Sequence, residues 1–223
     1  MKKLKITAEG AYVMGQILLA LGTALVASAN FGVSMVVAPA YLISEKVPFL
    51  TFGMAEYTFQ ALLICVICLI LRRFRVKYLL SFVTAFIYGC LLDLDMQLIS
   101  LGGDFSLAAR CGLFAAGVIL TAAGVAFFFN TYLPPGVYEL FVKEVSSHFR
   151  LDIGKFKIAY DCTSLAVACV MSVIFFGFWP LRGIGVGTVI CAAVNGAIIS
   201  AFSKLMQKKC DFAPLFDPPK WLK

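Results

Sequence analysis

Long apolar segments recur along this chain and limit what it can fold into. Six of them run for about 20 residues, long enough for a helix to cross a bilayer. Hydrophobic residues make up 61% of the chain and charged residues 14%, against about 25% charged in an ordinary soluble domain. A soluble fold of 223 residues could not bury so much apolar surface. We therefore predict an all-α polytopic membrane protein with spans near residues 9–29, 55–71, 78–98, 107–129, 158–179 and 185–205.

The basic residues are distributed unevenly around these spans. If the N-terminus lies in the cytoplasm, every Lys and Arg except Lys46, Arg110 and Arg182 falls on the cytoplasmic side, as the positive-inside rule predicts. The net charge of +7 then reflects topology and contact with the anionic headgroups of the lipid bilayer, and we expect no nucleic-acid partner. Both termini are expected in the cytoplasm, with residues 207–223 as a tail. No oligomeric state follows from the sequence.

The N-terminal segment resembles a secretory signal, because lysines precede an apolar stretch that ends at Ala27-Ser28-Ala29. Glu9 and Gln16 lie in or beside the apolar region, and the segment has a counterpart later in the chain. We therefore expect it to be retained as the first span.

Residues that could carry catalysis or a cofactor are sparse. The single histidine, His148, lies in a basic stretch, and no span carries a histidine that could activate a serine. The eight cysteines show no metal or disulfide spacing and are expected to be small apolar side chains. We expect no enzyme activity, no metal and no cofactor.

The two halves of the chain resemble each other, which is typical of secondary transporters. Each half has an apolar span, a broken segment and two further spans. Because three spans is an odd number, the second repeat must be inverted relative to the first. We predict one membrane domain over residues 1–223, with repeat one at residues 10–100 and repeat two at 108–206. The matched positions are Gly53 with Gly154, Arg75 with Arg182, Ala85 with Ala192 and Gly89 with Gly196.

The broken segments, residues 30–44 and 130–147, are too short to cross a bilayer. Gly32, Ser34 and Pro39 interrupt the first, and residues 134–136 (Pro-Pro-Gly) interrupt the second. Paired interruptions in corresponding places are the best sequence indication of a transport site. The alternative is an amphipathic helix on the membrane surface. The second segment fits this alternative, since it carries Lys143, Glu144, His148 and Arg150.

Polar side chains inside the spans are candidates for a binding site, because they are costly in a bilayer and suggest function. Glu56 and Gln60 are four residues apart and share a helix face. Lys157 and Asp161 stand at the corresponding place in repeat two, where a simple ion pair at the membrane interface is the alternative. The substrate-binding candidates are Ser34, Glu56, Gln60, Tyr138, Asp161 and Asn195. Glu56 or Asp161 is the candidate for coupling to a proton or cation.

Several short motifs connect the chain with a known group. Leu21-Gly22-x-Ala24 is followed by Phe31-Gly32-Val33-Ser34, and Arg182-Gly183-Ile184-Gly185 precedes Asn195-Gly196 in the last span. In these motifs the chain resembles the YczE/YitT group of bacterial multi-pass membrane proteins, over roughly residues 10–206. The group is largely uncharacterised, so the resemblance implies a bacterial plasma-membrane location and a topology more than an activity.

Three functions are consistent with these features. The first is a transporter or permease for a small solute, with alternating access around a midplane site. The second is the substrate-capturing subunit of an energy-coupling-factor vitamin transporter, which could dock a partner through Ala20-x-x-x-Ala24. The third is a membrane scaffold or regulator in which the polar residues only pack helices.

The charges of the candidate site suggest the charge of the ligand. Glu56, Asp93, Glu139 and Asp161 are placed where they could face a cavity, with Lys157 as the only comparable base. This favours a cationic or zwitterionic solute. The N-termini of two broken helices would instead attract an anion.

Overall fold

Eight helices and two short strands make up the protein in a computed structural model that describes residues 4–103, 105–134, 136–178 and 181–215. Six of the helices are long and apolar enough to cross a membrane, which confirms the six predicted spans. The elements are β1 (Leu4–Thr7), α1 (Ala8–Ala29), α2 (Ala38–Lys46), α3 (Phe52–Leu71), α4 (Val76–Ser100), α5 (Leu107–Phe129), α6 (Val137–Phe149), α7 (Ile153–Phe176), α8 (Val186–Lys209) and β2 (Cys210–Ala213). The chain is therefore a polytopic helical membrane protein.

Helix caps decide where several spans begin. The Thr51 hydroxyl accepts the N–H of Met54, and the Asp152 carboxylate accepts the N–H of Lys155. α3 therefore begins three residues earlier than predicted, and α7 begins five residues earlier. The predicted end of the fifth span, Trp179, lies outside the described residues, and α7 ends at Phe176.

The two ends of the chain meet. β1 and β2 pair in parallel, with Leu4 opposite Cys210 and Thr7 opposite Ala213. We call this end of the helix bundle the strand end and the other the far end. Residues 207–213 of the predicted tail therefore belong to α8, which continues to Lys209, and to β2, which follows directly. Residues 216–223 lie outside the described part of the chain.

The antiparallel helices α1 and α5 cross at the centre of the bundle in close backbone contact. A Cβ on Gly22 would lie 2.8 Å from the Gly117 carbonyl oxygen, and one on Gly124 would lie 2.8 Å from the Gly15 carbonyl oxygen. Such small-residue contacts are the usual way in which helices pack closely in lipid. On the two sides of this pair, α4 packs on α1 and α8 packs on α5.

The short helix α2 begins in the interior and runs back to the far end. The segment before it leaves α1 at that end, and the Met35 carbonyl accepts the Ser164 hydroxyl, halfway along α7, at 2.9 Å. At the other end of α2, Lys46 Nζ donates to the Phe175 carbonyl at 3.0 Å, next to the last residue of α7. The segment thus enters the bundle and returns.

The second short helix, α6, follows the same course from the strand end. Its first turn reaches α3, where the Tyr138 hydroxyl donates to Glu56 Oε1 at 2.7 Å. Its later residues pack beside Ile67 and Tyr78. Buried along α6 are Val137, Tyr138, Leu140, Val142, Glu144, Val145 and Ser146. This packing argues against the alternative in which α6 lies on the membrane surface.

Neighbouring helices pack differently in the two halves of the chain. α3 and α4 meet at two glycines, because a Cβ on Gly89 would lie 2.7 Å from the Gly53 carbonyl oxygen. In the described residues, α7 and α8 do not pack along their length. Gly154 and Gly196, on these two helices, both border a cavity instead.

We predict that Gly22→Ala destabilises the protein by about 1–3 kcal/mol, the usual cost of overpacking. The added methyl group would lie 2.5 Å from the backbone nitrogen of Thr121, so α1 and α5 would have to separate. The measurement is the Tm of the purified protein in detergent. Gly112→Ala is the control, since nothing lies within 4 Å of a Cβ there. Equal Tm values for the two variants would contradict the proposed role of the crossing.

Candidate functional site

A cavity of about 550 Å³ lies in the middle of the bundle, within the usual size range of small-molecule sites. It extends toward the strand end between α7 and α8, where Ile153, Gly154 and Ser200 line it. The six sequence-predicted site residues all border this one cavity: Ser34, Glu56, Gln60, Tyr138, Asp161 and Asn195. The structure thus brings them together, and their role in binding stays a prediction.

Glu56 is the most deeply buried acidic residue of the cavity wall, with an exposed fraction of 0%. Its Oε1 accepts hydrogen bonds from the Tyr138 hydroxyl at 2.7 Å and from Gln60 Nε2 at 3.3 Å. Gln60 reaches it because the two residues lie one turn apart on α3. The other carboxylate oxygen, Oε2, is buried and accepts no hydrogen bond from the described residues.

Asp161 occupies a more open part of the wall and has a partner. Lys157 Nζ lies 3.1 Å from Asp161 Oδ1, one turn away on α7, with 40% and 20% of the two side chains exposed. The two charges neutralise each other and both side chains are partly exposed, so the pair matches the simple ion pair that was the alternative. Glu56 is therefore the stronger candidate for coupling to a proton or cation.

Ser34 and Asn195 reach the cavity from opposite halves of the chain. The Ser34 carbonyl accepts the N–H groups of Val37 and Ala38, which starts α2 and fixes the serine at the cavity wall. Asn195 lies in the middle of α8, and its Oδ1 is buried without a hydrogen-bond partner in the described residues.

Sequence reasoning missed a group of polar residues on α1 and α4. Gln16 Nε2 donates to the Thr84 carbonyl at 3.3 Å, and the Tyr88 hydroxyl donates to Thr23 Oγ1 at 3.1 Å. All four border the cavity. Gln16 carried a usable signal, since it is an amide inside an apolar span, and it is 3% exposed.

Asp93, which from the sequence could have faced the cavity, has a different role. Its carboxylate accepts the Thr51 hydroxyl at 2.5 Å and the Gly53 N–H at 2.7 Å. From its position on α4, Asp93 therefore accepts hydrogen bonds at the start of α3. It is not among the described residues that line the cavity. Asp93 lies within α4, as the predicted span implied, but on the side of that helix that faces the first turn of α3.

Glu144, a suspected surface residue, is instead buried at the strand end of α6, with 8% exposed. It accepts hydrogen bonds from Lys77, from the Tyr78 hydroxyl at 2.8 Å and from Arg75 at 3.3 Å. At the far end, Glu45 of α2 pairs with Arg182, just before α8, at 3.6 Å. Each short helix is thus held by an arginine of the other half of the chain.

Comparisons with known proteins identify a family but no activity. A family profile described as "Family of unknown function (DUF6198)" matches residues 6–204. A protein of Bacillus subtilis (strain 168) named "Uncharacterized protein YyaS" is 26% identical over 204 residues, which cover 88% of this chain and 92% of that protein. No solved structure matches the chain. Neither match names the YczE/YitT group, so that resemblance stays a prediction, whereas an uncharacterised family was expected.

We predict that Glu144→Gln lowers the stability at neutral pH by about 1–3 kcal/mol, because Lys77, Arg75 and Tyr78 lose a charged partner. Burial raises the pKa of Glu144, but hydrogen bonds from Lys77 and Tyr78 and the charge of Arg75 outweigh it, so the pKa is lowered. The stabilisation is therefore complete above the ordinary pKa of a glutamate and is lost as the pH falls through the lowered pKa.

Tm measured against pH tests this prediction. The wild type should lose stability on acidification, and Glu144→Gln should lose less. Asp211→Asn, an exposed acidic residue at the same end, is the control and should follow the wild type. A Glu144→Gln profile that runs parallel to the wild type would contradict the prediction.

Proposed function

We propose that this chain, which belongs to the family of unknown function DUF6198, moves a small solute across the membrane by alternating access. The role is transport and not catalysis. The strand end is taken as cytoplasmic, in line with the placement of the basic residues, and the membrane is the bacterial plasma membrane. The six site residues then line a solute cavity that faces the cytoplasm.

The helix contacts support two inverted repeats. If α1 to α4 correspond to α5 to α8, the contact of α1 with α4 corresponds to that of α5 with α8. In the same way, α2 with α3 corresponds to α6 with α7, and α3 with α6 corresponds to α7 with α2. The two short helices correspond as well, since each starts in the interior and ends near the side from which it entered. Inverted repeats of this kind are common in secondary transporters.

The two arginine pairs follow the same relation. Arg75 and Arg182 were matched by sequence, and each pairs with a glutamate on the short helix of the other repeat, Glu144 and Glu45. One pair lies at the strand end and the other at the far end. A pseudo-two-fold axis in the membrane plane would exchange them.

The main support for the proposal is one departure from this symmetry. Gly53 and Gly89 hold α3 against α4, whereas their sequence counterparts Gly154 and Gly196 stand apart across the cavity. No atom of the described residues lies within 4 Å of a Cβ placed on Gly196. Glycine is unnecessary at such an open position, but it would be needed if α7 closed on α8 as α3 closes on α4. In the proposed second state, α7 and α8 close and α3 leaves α4, so the cavity faces outward.

The alternatives have less support. Ala20 and Ala24, the suggested docking face of a vitamin-transport subunit, are both 0% exposed inside this chain, so they are not free to bind a partner. A scaffold has no use for a central cavity of about 550 Å³ bordered by unpartnered polar atoms.

Accessibility labelling tests the proposal without knowledge of the solute. Ser34→Cys is introduced after the native cysteines are replaced, and a membrane-impermeant maleimide is applied from each side of the membrane. We expect labelling from the strand end and, more slowly, from the far end. Gly196→Leu should slow far-end labelling by about ten-fold or more, which corresponds to about 1.4 kcal/mol between the two states, because the side chain keeps α7 off α8.

Gly112→Leu is the matched control, since it also adds a side chain at an open glycine, but on α5 and away from the cavity. It should leave labelling from both sides unchanged. The proposal fails if Ser34→Cys never reacts from the far end, or if Gly196→Leu leaves far-end labelling as it was.

A further inference from the structure

We infer that the solute of this cavity is an organic cation, with an N–H-bearing ammonium group bound beside Glu56 and an apolar body along the rest of the cavity wall. The inference rests on the proposed function and names the chemical class of what is moved. It is carried by the hydrogen-bond acceptors, the charges and the helix ends around the cavity.

The polar atoms left without a partner are all acceptors. Among the described residues, the buried side-chain oxygens that find no donor are Gln16 Oε1, Glu56 Oε2 and Asn195 Oδ1. All three residues border the cavity, from α1, α3 and α8. A buried acceptor without a donor is costly. A ligand that donates hydrogen bonds would remove this cost, whereas one that only accepts them would not.

The charges around the cavity are unbalanced in the same direction. The described lining includes three carboxylates, Glu56, Glu139 and Asp161, and one base, Lys157. Lys157 pairs with Asp161 and also attracts Glu139, so three carboxylates share one base. Within the described residues, Glu56 receives hydrogen bonds from the neutral groups of Tyr138 and Gln60 and from no basic side chain. A buried carboxylate of this kind favours a cation.

The starts of α2 and α6, which could have attracted an anion, are partly occupied by groups of the protein itself. The N–H groups of Val37 and Ala38 both donate to the Ser34 carbonyl, and Pro39 has no N–H to offer. In the first turn of α6 the Glu139 carboxylate lies close to Gly136 and places a negative charge on the positive end of the helix. The sequence argument for an anion is therefore weaker at this cavity.

The remaining wall determines the body of the ligand. Valine, leucine and phenylalanine side chains surround the polar atoms, including Leu19, Val36, Val118 and Phe128. An inorganic cation would leave these side chains around empty space or water. A hydrocarbon or aromatic body would cover them, which is favourable because it removes apolar surface from water.

A matched series of probes tests this class. Phenethylammonium, 3-phenylpropionate, 3-phenylpropanol and trimethyl(phenethyl)ammonium share one aromatic body and differ in the head group. Each is titrated up to about 10 mM against the purified full-length protein, and the rise in Tm is measured, since a ligand of the folded state stabilises it. We expect phenethylammonium to bind best, the quaternary cation less well because it has no N–H, and the carboxylate least.

Variants then locate the head group. Glu56→Gln should weaken phenethylammonium binding by about 30-fold or more, as when one partner of a buried charge pair is removed. Asn195→Ala, at a less buried position, should weaken phenethylammonium binding to a smaller extent. This variant also tests the inference if Glu56→Gln does not fold. Asp95→Asn is the control, because Asp95 lies on α4 outside the cavity lining, and it should bind like the wild type.

The inference is overturned if phenethylammonium gives no shift, if the carboxylate or the alcohol shifts Tm as much, or if both Glu56→Gln and Asn195→Ala bind it as the wild type does. These outcomes are separate from the labelling experiment. Labelling from both sides without selectivity for the ammonium probe would leave the transport proposal standing and remove the cation. Selective binding of the ammonium probe, together with labelling from only one side, would support the cation and remove the transport proposal.

Discussion

The backbone contact between α1 and α5 is the interaction on which the rest of the structure depends. Lipid tails are as apolar as the helix surfaces, so helices associate in a bilayer through close packing and polar contacts rather than through the hydrophobic effect. Gly15 with Gly124 and Gly22 with Gly117 allow that packing over two turns. Because α4 joins this pair through α1 and α8 joins it through α5, the crossing also positions both walls of the cavity.

A second constraint explains why the broken segments lie where they do. Backbone groups outside a helix cannot face lipid, because nothing there would satisfy them. The segment before α2 is satisfied by the protein: the Val33 N–H donates to the Gly183 carbonyl, and the Phe31 carbonyl accepts the Gly187 N–H. The bend before α8 therefore supplies the partners that the bend before α2 needs. These bonds link the first broken segment to the second half of the chain.

The sequence predicted the positions of the spans better than the contacts between them. Span positions follow from composition, so all six were found, and α5 was found to the residue. The cavity residues Glu56 and Asn195 were identified because a polar group inside an apolar helix is conspicuous. Asp93 has the same appearance in the sequence, yet it caps a neighbouring helix. Which of these roles a carboxylate takes depends on contacts between residues that are far apart in the chain, and composition carries no information about them.

The glycine contacts show the same limit and also connect the cavity to the proposed motion. Gly53 was matched to Gly154 by sequence, but only the structure shows that Gly53 packs against α4 whereas Gly154 borders the cavity. Gly53 lies one turn before Glu56 on α3, and Tyr88, next to Gly89, lies on the cavity wall. In the proposed cycle, a cation beside Glu56 would thus be bound one turn from the contact that has to open. A ligand shifts an equilibrium only by its difference in affinity for the two states. When α3 leaves α4 in the proposed cycle, Glu56 moves relative to the polar groups that the ligand contacts on α1 and α8. The two states therefore bind the ligand with different affinities.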